Sequence, residues 1–248
     1  GDGLTGLDAA LAQAQKFVED GADILDVGGE STRPGYTPVS VEEEIERVIP
    51  IIHKLTDEVS VPVSVDTSKY EVAKEALDAG ASILNDQWGL KTEPRLAELA
   101  AHYGAFLILM SNQRDKGSFD VTAGRDTAHY DNVISEVTSS LRNSISIALT
   151  TGVPAEHIII DPGIGFGKTW QQDIEIIRHL DKLKVLNKPV LIGVSRKSLI
   201  KMVLNLPPDD RLEGTAAVIS TGIARGADIV RVHDVKQMVR VCRMTDAI

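Results

Sequence analysis

Asp66, Asn85 and Asp161 each close a short hydrophobic run, and together they form an acceptor-rich set suited to a flat heterocycle with several N–H donors. A carboxylate can accept two parallel N–H bonds from an amidine-like edge, the geometry that makes such pairs strong. A second set is cationic: Arg33, Arg196, Lys197 and Arg231, joined by His233, supply positive charge for an anion. The loops after the last two strands of a barrel commonly hold phosphate. Ser195 to Ser198 also open a helix, whose first N–H groups are free for such a ligand. These residue types imply a pocket for a heterocycle on one side and a phosphate on the other.

Simpler readings stand beside these. A lone Asp after a strand commonly caps a helix or forms a turn, which would account for Asp66, Asp86 and Asp234. The histidines at 53, 102, 129, 157 and 179 lack convergent partners and read as structural or exposed. Lys91, Lys116 and Glu42 to Glu44 read as solvated faces. The set outweighs coincidence, because nearly every apolar run ends in polar groups. No cluster with metal-ligand spacing is visible, and GxSxG is absent. GIGFGK lacks the spacing of a phosphate loop. Gly163, Gly165 and Gly167 are expected to let the backbone pass close beneath a bound ring.

Positioning these groups falls to a regular alternation. Strands are expected at 22–30, 61–67, 81–88, 105–110, 157–163, 190–195 and 227–234. They are near-continuously apolar, as parallel strands buried on both faces are. Amphipathic helices are expected at 6–21, 41–55, 68–80 and 132–152, within a total of about eight. Such alternation over a chain of 248 residues points to an α/β fold of the (β/α)8 TIM-barrel type. The pattern is one strand short, so the first strand and part of the first βα loop are expected upstream of Gly1. An open doubly wound sheet would bring a G-x-G-x-x-G turn, which DVGGEST is not. With no linker or composition shift, one domain over 1–248 is expected.

A hydrophobic content of 43% supports a large core. The net charge of −10, without a basic tail, argues against nucleic-acid binding. Cys242 is the only cysteine, which excludes an internal disulfide. No apolar run approaches the ~20 residues a membrane span needs. No signal peptide is visible, so a cytoplasmic location is expected.

DVGGESTRPG, SVDTSK, NDQWG, DPGIGFGKT, GVSRKS, RLEGT and RVHDV follow one another in this order. Together they resemble the dihydropteroate synthase family of the folate pathway, the target of sulfonamides. The resemblance implies condensation of 6-hydroxymethyl-7,8-dihydropterin diphosphate with 4-aminobenzoate, releasing pyrophosphate. It implies that Asp66, Asn85, Asp161 and Lys197 hold the pterin. Thr32, Arg231 and His233 would hold the diphosphate, with Ser198, Arg33 and Pro34 near the aminobenzoate. Asp2 would belong to a first loop that closes over the site, making Asp2, Lys197, Arg231 and His233 the catalytic set. Mg2+ is the implied cofactor, with its family Asn upstream of Gly1. A homodimer is implied, through the last helices around Val218 to Ile223 and Met238 to Met244.

Two departures stand out: Ser111 replaces a usual His, and Gln87 stands where an apolar residue is usual beneath the pterin. The alternatives are a pterin domain of a corrinoid methyltransferase, disfavoured by SRKS, and a non-catalytic barrel retained for binding.

Overall fold

The computed structural model describes residues 6–31, 37–114, 119–120, 125–126 and 130–248. The chain divides into two units, Gly1–Leu109 with Ser144–Ile158, and Met110–Asn143 with Ile159–Ile248.

In the first unit, helices and parallel strands alternate as α1 (Leu7–Glu19), β1 (Leu25–Val27), α2 (Val41–Glu58), β2 (Val63–Asp66), α3 (Tyr70–Asp78), β3 (Ile83–Asp86), α4 (Leu96–Tyr103) and β4 (Phe106–Met110). Leu25 pairs with Val63, Val65 with Leu84, and Leu84 with Leu107, so β1 to β4 run in one parallel register. Val63, Val65, Leu84 and Leu107 are each at most 2% exposed, as the unbroken apolar runs demand. α2 starts where Ser40 Oγ accepts the Glu43 N–H at 3.2 Å, and it buries Val48, Ile52 and Leu55. α3 starts at Tyr70 instead of Ser68, because Thr67 Oγ1 accepts the Lys69 N–H and holds a turn there. His157 stacks on Phe106 with centroids 4.5 Å apart, a structural role as expected.

One expectation fails in this unit. Glu44 is 1% exposed and not a solvated face. It meets Lys69 Nζ at 2.5 Å, as does Glu30, and the same ammonium donates to the Val39 carbonyl. Its burial follows from the helical period, which puts Glu44 on the face of Val48 and Ile52.

The remaining elements are a short antiparallel pair, β5 (Phe119–Asp120) and β6 (Arg125–Asp126), then α5 (Val133–Thr150) and β7 (Ile158–Asp161). α6 (Trp170–Arg178), β8 (Leu191–Ile192), α7 (Ser198–Leu204), α8 (Leu212–Ala224), β9 (Ile229–Val230) and α9 (Val235–Asp246) follow. β8 pairs in parallel with β9, and Val190 bridges to Ile160 of β7. α6 opens with a capping box between Thr169 and Gln172. All seven expected strands are present, although β8 and β9 are only two residues long.

Candidate functional site

In the first unit Asp26 lies within β1, Asp66 and Asn85 lie at or near the ends of β2 and β3, and Gln87 directly follows β3. Register sets Asp66 beside Asn85. Asn85 Nδ2 donates to Asp26 Oδ2 at 3.1 Å, and Gln87 Nε2 lies 2.6 Å from each Asp66 oxygen. Asp26 escaped the sequence reading; the signal was a charge inside the apolar run ADILDV. Asp66 does not cap α3, whose first turn has no side-chain cap. Asp86 does take the simpler role. Its oxygens accept the N–H groups of Trp88 and Leu90 at 2.9 and 2.6 Å, bending the chain so that Leu90 sits at φ 65°. Burial pushes its carboxyl up to about 6, against those hydrogen bonds.

In the second unit Asp161 closes β7 and accepts the Gly163 N–H at 2.7 Å. Burial raises its carboxyl above the usual range, opposed by the positive charges of Lys197, Arg231 and Lys168. Lys197 follows β8, donates from Nζ to the Ile164 carbonyl at 2.6 Å, and stands 4.8 Å from the Phe166 ring centroid. Desolvation lowers it to about 8, with Asp161 opposing and Arg231 reinforcing that shift. Lys197 and Arg231 both approach Gly193: a Cβ there would lie 3.8 Å from Lys197 Nζ and 3.9 Å from Arg231 Cβ. Arg114 places its guanidinium 4.5 Å from the same Phe166 ring. It too escaped the sequence reading, since nothing in SNQRDK marks it.

The glycine loop departs from expectation. A Cβ on Gly163 would lie 2.3 Å from the Ser111 carbonyl, and one on Gly167 would lie 2.2 Å from the Gln113 carbonyl carbon. These two glycines therefore serve close packing on the 111–113 backbone. Only Gly165 faces the site, with its Cβ position 3.5 Å from Lys197 Cδ. Ser111 is fully buried and joins this packing: its Oγ accepts from Gln113 Nε2 at 2.9 Å, and its carbonyl accepts from Lys168.

Arg196 is not an uncommitted anion ligand. It sits at φ 58°, its N–H donates to Thr215 Oγ1, and its guanidinium donates to both Asp234 oxygens at 3.0 and 2.5 Å. That pairing also replaces the cap expected of Asp234, which caps α9 with no side-chain bond. Beside it, Ser195 Oγ accepts the His233 N–H at 3.3 Å and lies 3.0 Å from His233 Nδ1. Arg231 is exposed at the end of β9, and Ser198 is exposed at the start of α7. Thus Asp161, Lys197, Ser198, Arg231 and His233 belong to one unit, and Asp66 and Asn85 to the other. Asp2, Thr32, Arg33 and Pro34 lie outside the described residues.

A heterocycle with N–H donors suits the carboxylates, and an anion suits Arg231, Lys197 and His233. Among the described residues, no three His, Cys, Asp or Glu side chains converge as a metal site. The described residues therefore do not by themselves fit a protein-held metal ion.

Comparison with known proteins accords with this chemistry. The family profile described as "Pterin binding enzyme" matches residues 2–233. A dihydropteroate synthase of Bacillus subtilis is 46% identical over 241 residues, covering 97% of this chain and 80% of that protein. The crystal structure of a Clostridium difficile dihydropteroate synthase, determined in the presence of pteroic acid, is 45% identical with a TM-score of 0.90. It covers 97% of this chain and 88% of its own. A Yersinia pestis dihydropteroate synthase in complex with a sulfonamide drug is 36% identical, with a TM-score of 0.93 over 100% of this chain and 88% of its own. The fold class is accordingly the expected α/β barrel of the (β/α)8 type.

Proposed function

This chain belongs to the pterin-binding enzyme family as a dihydropteroate synthase of folate biosynthesis, and we propose how its own residues carry the reaction. The enzyme is a transferase that joins 6-hydroxymethyl-7,8-dihydropterin diphosphate to 4-aminobenzoate. The C–O bond from the pterin methylene to the diphosphate breaks, and a C–N bond to the arylamine forms. The amine proton then leaves, and pyrophosphate departs.

Asp161 and Lys197 are assigned to the pterin, as are Asp66 and Asn85. Asp161 offers carboxylate oxygens to N–H donors, and Lys197 offers its ammonium to ring acceptors. The leaving diphosphate is assigned to Arg231 and His233, with Ser195 fixing the orientation of the imidazole. Stabilising charge as it develops on the leaving oxygens contributes on the order of 3 kcal/mol. An arylamine is nucleophilic without a strong base, so positioning supplies much of the rest. Thr32 joins the diphosphate set by resemblance; Arg33, Pro34 and Ser198 are assigned to the aminobenzoate, and Asp2 to the first loop. Sulfonamides, as aminobenzoate mimics, are proposed to compete for that last subsite.

Mg2+ is proposed as a partner of the substrate diphosphate, whose charge it would help to neutralise. A single domain over 1–248, a homodimer and a cytoplasmic location belong to the proposal too. Met202, Val203 and Leu204 on α7 and Met244 on α9 leave apolar surface in support of a dimer. Ile219 and Met238 of the expected dimer surface are instead buried.

The observation that carries the assignment is Lys197, which donates to the Ile164 carbonyl and feels the charges of both Asp161 and Arg231. A coupled assay for pyrophosphate release should require both substrates. It should lose nearly all turnover in Lys197→Ala while circular dichroism stays native. Near-normal release by that variant would sink the assignment.

A further inference from the structure

The Gln87 amide nitrogen lies at equal distances, 2.6 Å, from both oxygens of Asp66. Equal distances place it on the fork of the carboxylate, the position that a planar ligand with two parallel N–H groups would take. Gln87 is 7% exposed, and its Oε1 is buried with no hydrogen-bond partner. An unpaired buried oxygen is costly, so the bond to Asp66 is what holds the side chain in this orientation. Asp66 has less freedom: it is paired in register with Asn85, and the backbone of Gly28 lies against it, a Cβ there falling 3.2 Å from Asp66 Cβ.

We propose that Gln87 is a specificity-determining residue of the pterin subsite, occupying the Asp66 carboxylate in the ligand-free protein and yielding it to the arriving ring. This rests on the reading of Asp66 as a pterin ligand. A heterocycle with two adjacent N–H donors replaces the displaced amide bond and adds a second. One with a single donor only exchanges one bond for another and gains nothing. Gln87 thereby raises the threshold for entry while leaving the ring-to-carboxylate bond intact. Being neutral, it does so without altering the charge of the subsite.

The test titrates the full chain with 6-hydroxymethylpterin by calorimetry, comparing wild type with Gln87→Leu and Gln87→Met. Removing the internal competitor should tighten Kd by roughly tenfold, the lower end of what a hydrogen bond to a charged group contributes. The KM for the pterin diphosphate should fall in parallel, with the KM for 4-aminobenzoate unmoved. Gln87→Met keeps the unbranched stem, so packing in the turn is preserved even where leucine disturbs it. Thermal melting verifies that each variant is folded. A Kd unchanged or weakened in the folded variants overturns the proposal. Asp66→Asn separates the two levels: if it leaves pterin binding intact, the reading of Asp66 itself fails. If it weakens binding while the Gln87 variants fail to tighten it, only the competitor role fails.

Discussion

Arg196 and Asp234 are joined by two hydrogen bonds, Nε at 3.0 Å and Nη2 at 2.5 Å. Arg196 directly precedes Lys197 and Asp234 directly follows His233, so this bidentate pair ties together the two loops that carry the cations. Arg196→Lys keeps the charge and loses the fork. We expect kcat/KM for the pterin diphosphate to fall by about tenfold, because misplacing a site group by a fraction of an ångström is costly. Melting temperature should drop only slightly, as checked by calorimetry on the same samples.

Lys197 titrates at about 8, and its ammonium is lost as pH rises through that value. The KM for the pterin diphosphate should therefore climb above pH 8, with kcat less affected. Stability moves the opposite way. The folded pKa lies below the ordinary lysine value of 10.5, so the unfolded chain binds more protons between about 8 and 10.5. Lys197 thus costs stability at neutral pH, and this cost fades as pH rises across that window. Lys197→Met should be inactive and no less stable than wild type at pH 7. Its advantage in melting temperature should shrink by pH 10.

Gly163 and Gly167 have no room for a side chain, and both sit at positive φ, 71° and 73°. Gly163→Ala or Gly167→Ala should cost at least about 3 kcal/mol, the backbone strain adding to overpacking. Gly165→Ala meets only Lys197 Cδ at 3.5 Å and should cost about 1 kcal/mol from its φ of 82°. Urea denaturation of the three variants would show this ordering; equal losses would contradict it.

Lys69 holds Glu30 and the buried Glu44 together, and through Val39 it fastens residues on either side of 32–36. Lys69→Met strands a carboxylate that is 1% exposed, at a cost of about 3–5 kcal/mol. Adding Glu44→Gln should restore part of that loss in a double-mutant cycle. If Arg33 and Pro34 contact the aminobenzoate, Lys69→Met should also raise its KM more than that of the pterin diphosphate.

Much of the fold was legible because β2, β3 and β7 are buried on both faces. Such strands leave unbroken apolar runs, and VPVSVD and HIIID appear where β2 and β7 form. The ends of β8 and β9 were harder to see, since the apolar run continues to Val194 although pairing stops at Ile192. Of the site, the residues that end strands were visible, whereas Asp26 and Arg114 were not. Asp26 is hidden within an apolar run, and Arg114 acquires meaning only from the ring of Phe166.

The sequence alone determined the element order, the family and the residue types at the strand ends, because hydrophobic periodicity and local turn chemistry are written residue by residue. Only tertiary structure decided which of those groups spend their charge on one another. Arg196 is consumed by Asp234, Glu44 is drawn inward to Lys69, and Gln87 settles on the fork of Asp66. Each outcome depends on a partner 21 to 38 residues away, and at that separation it is packing that determines which charges meet.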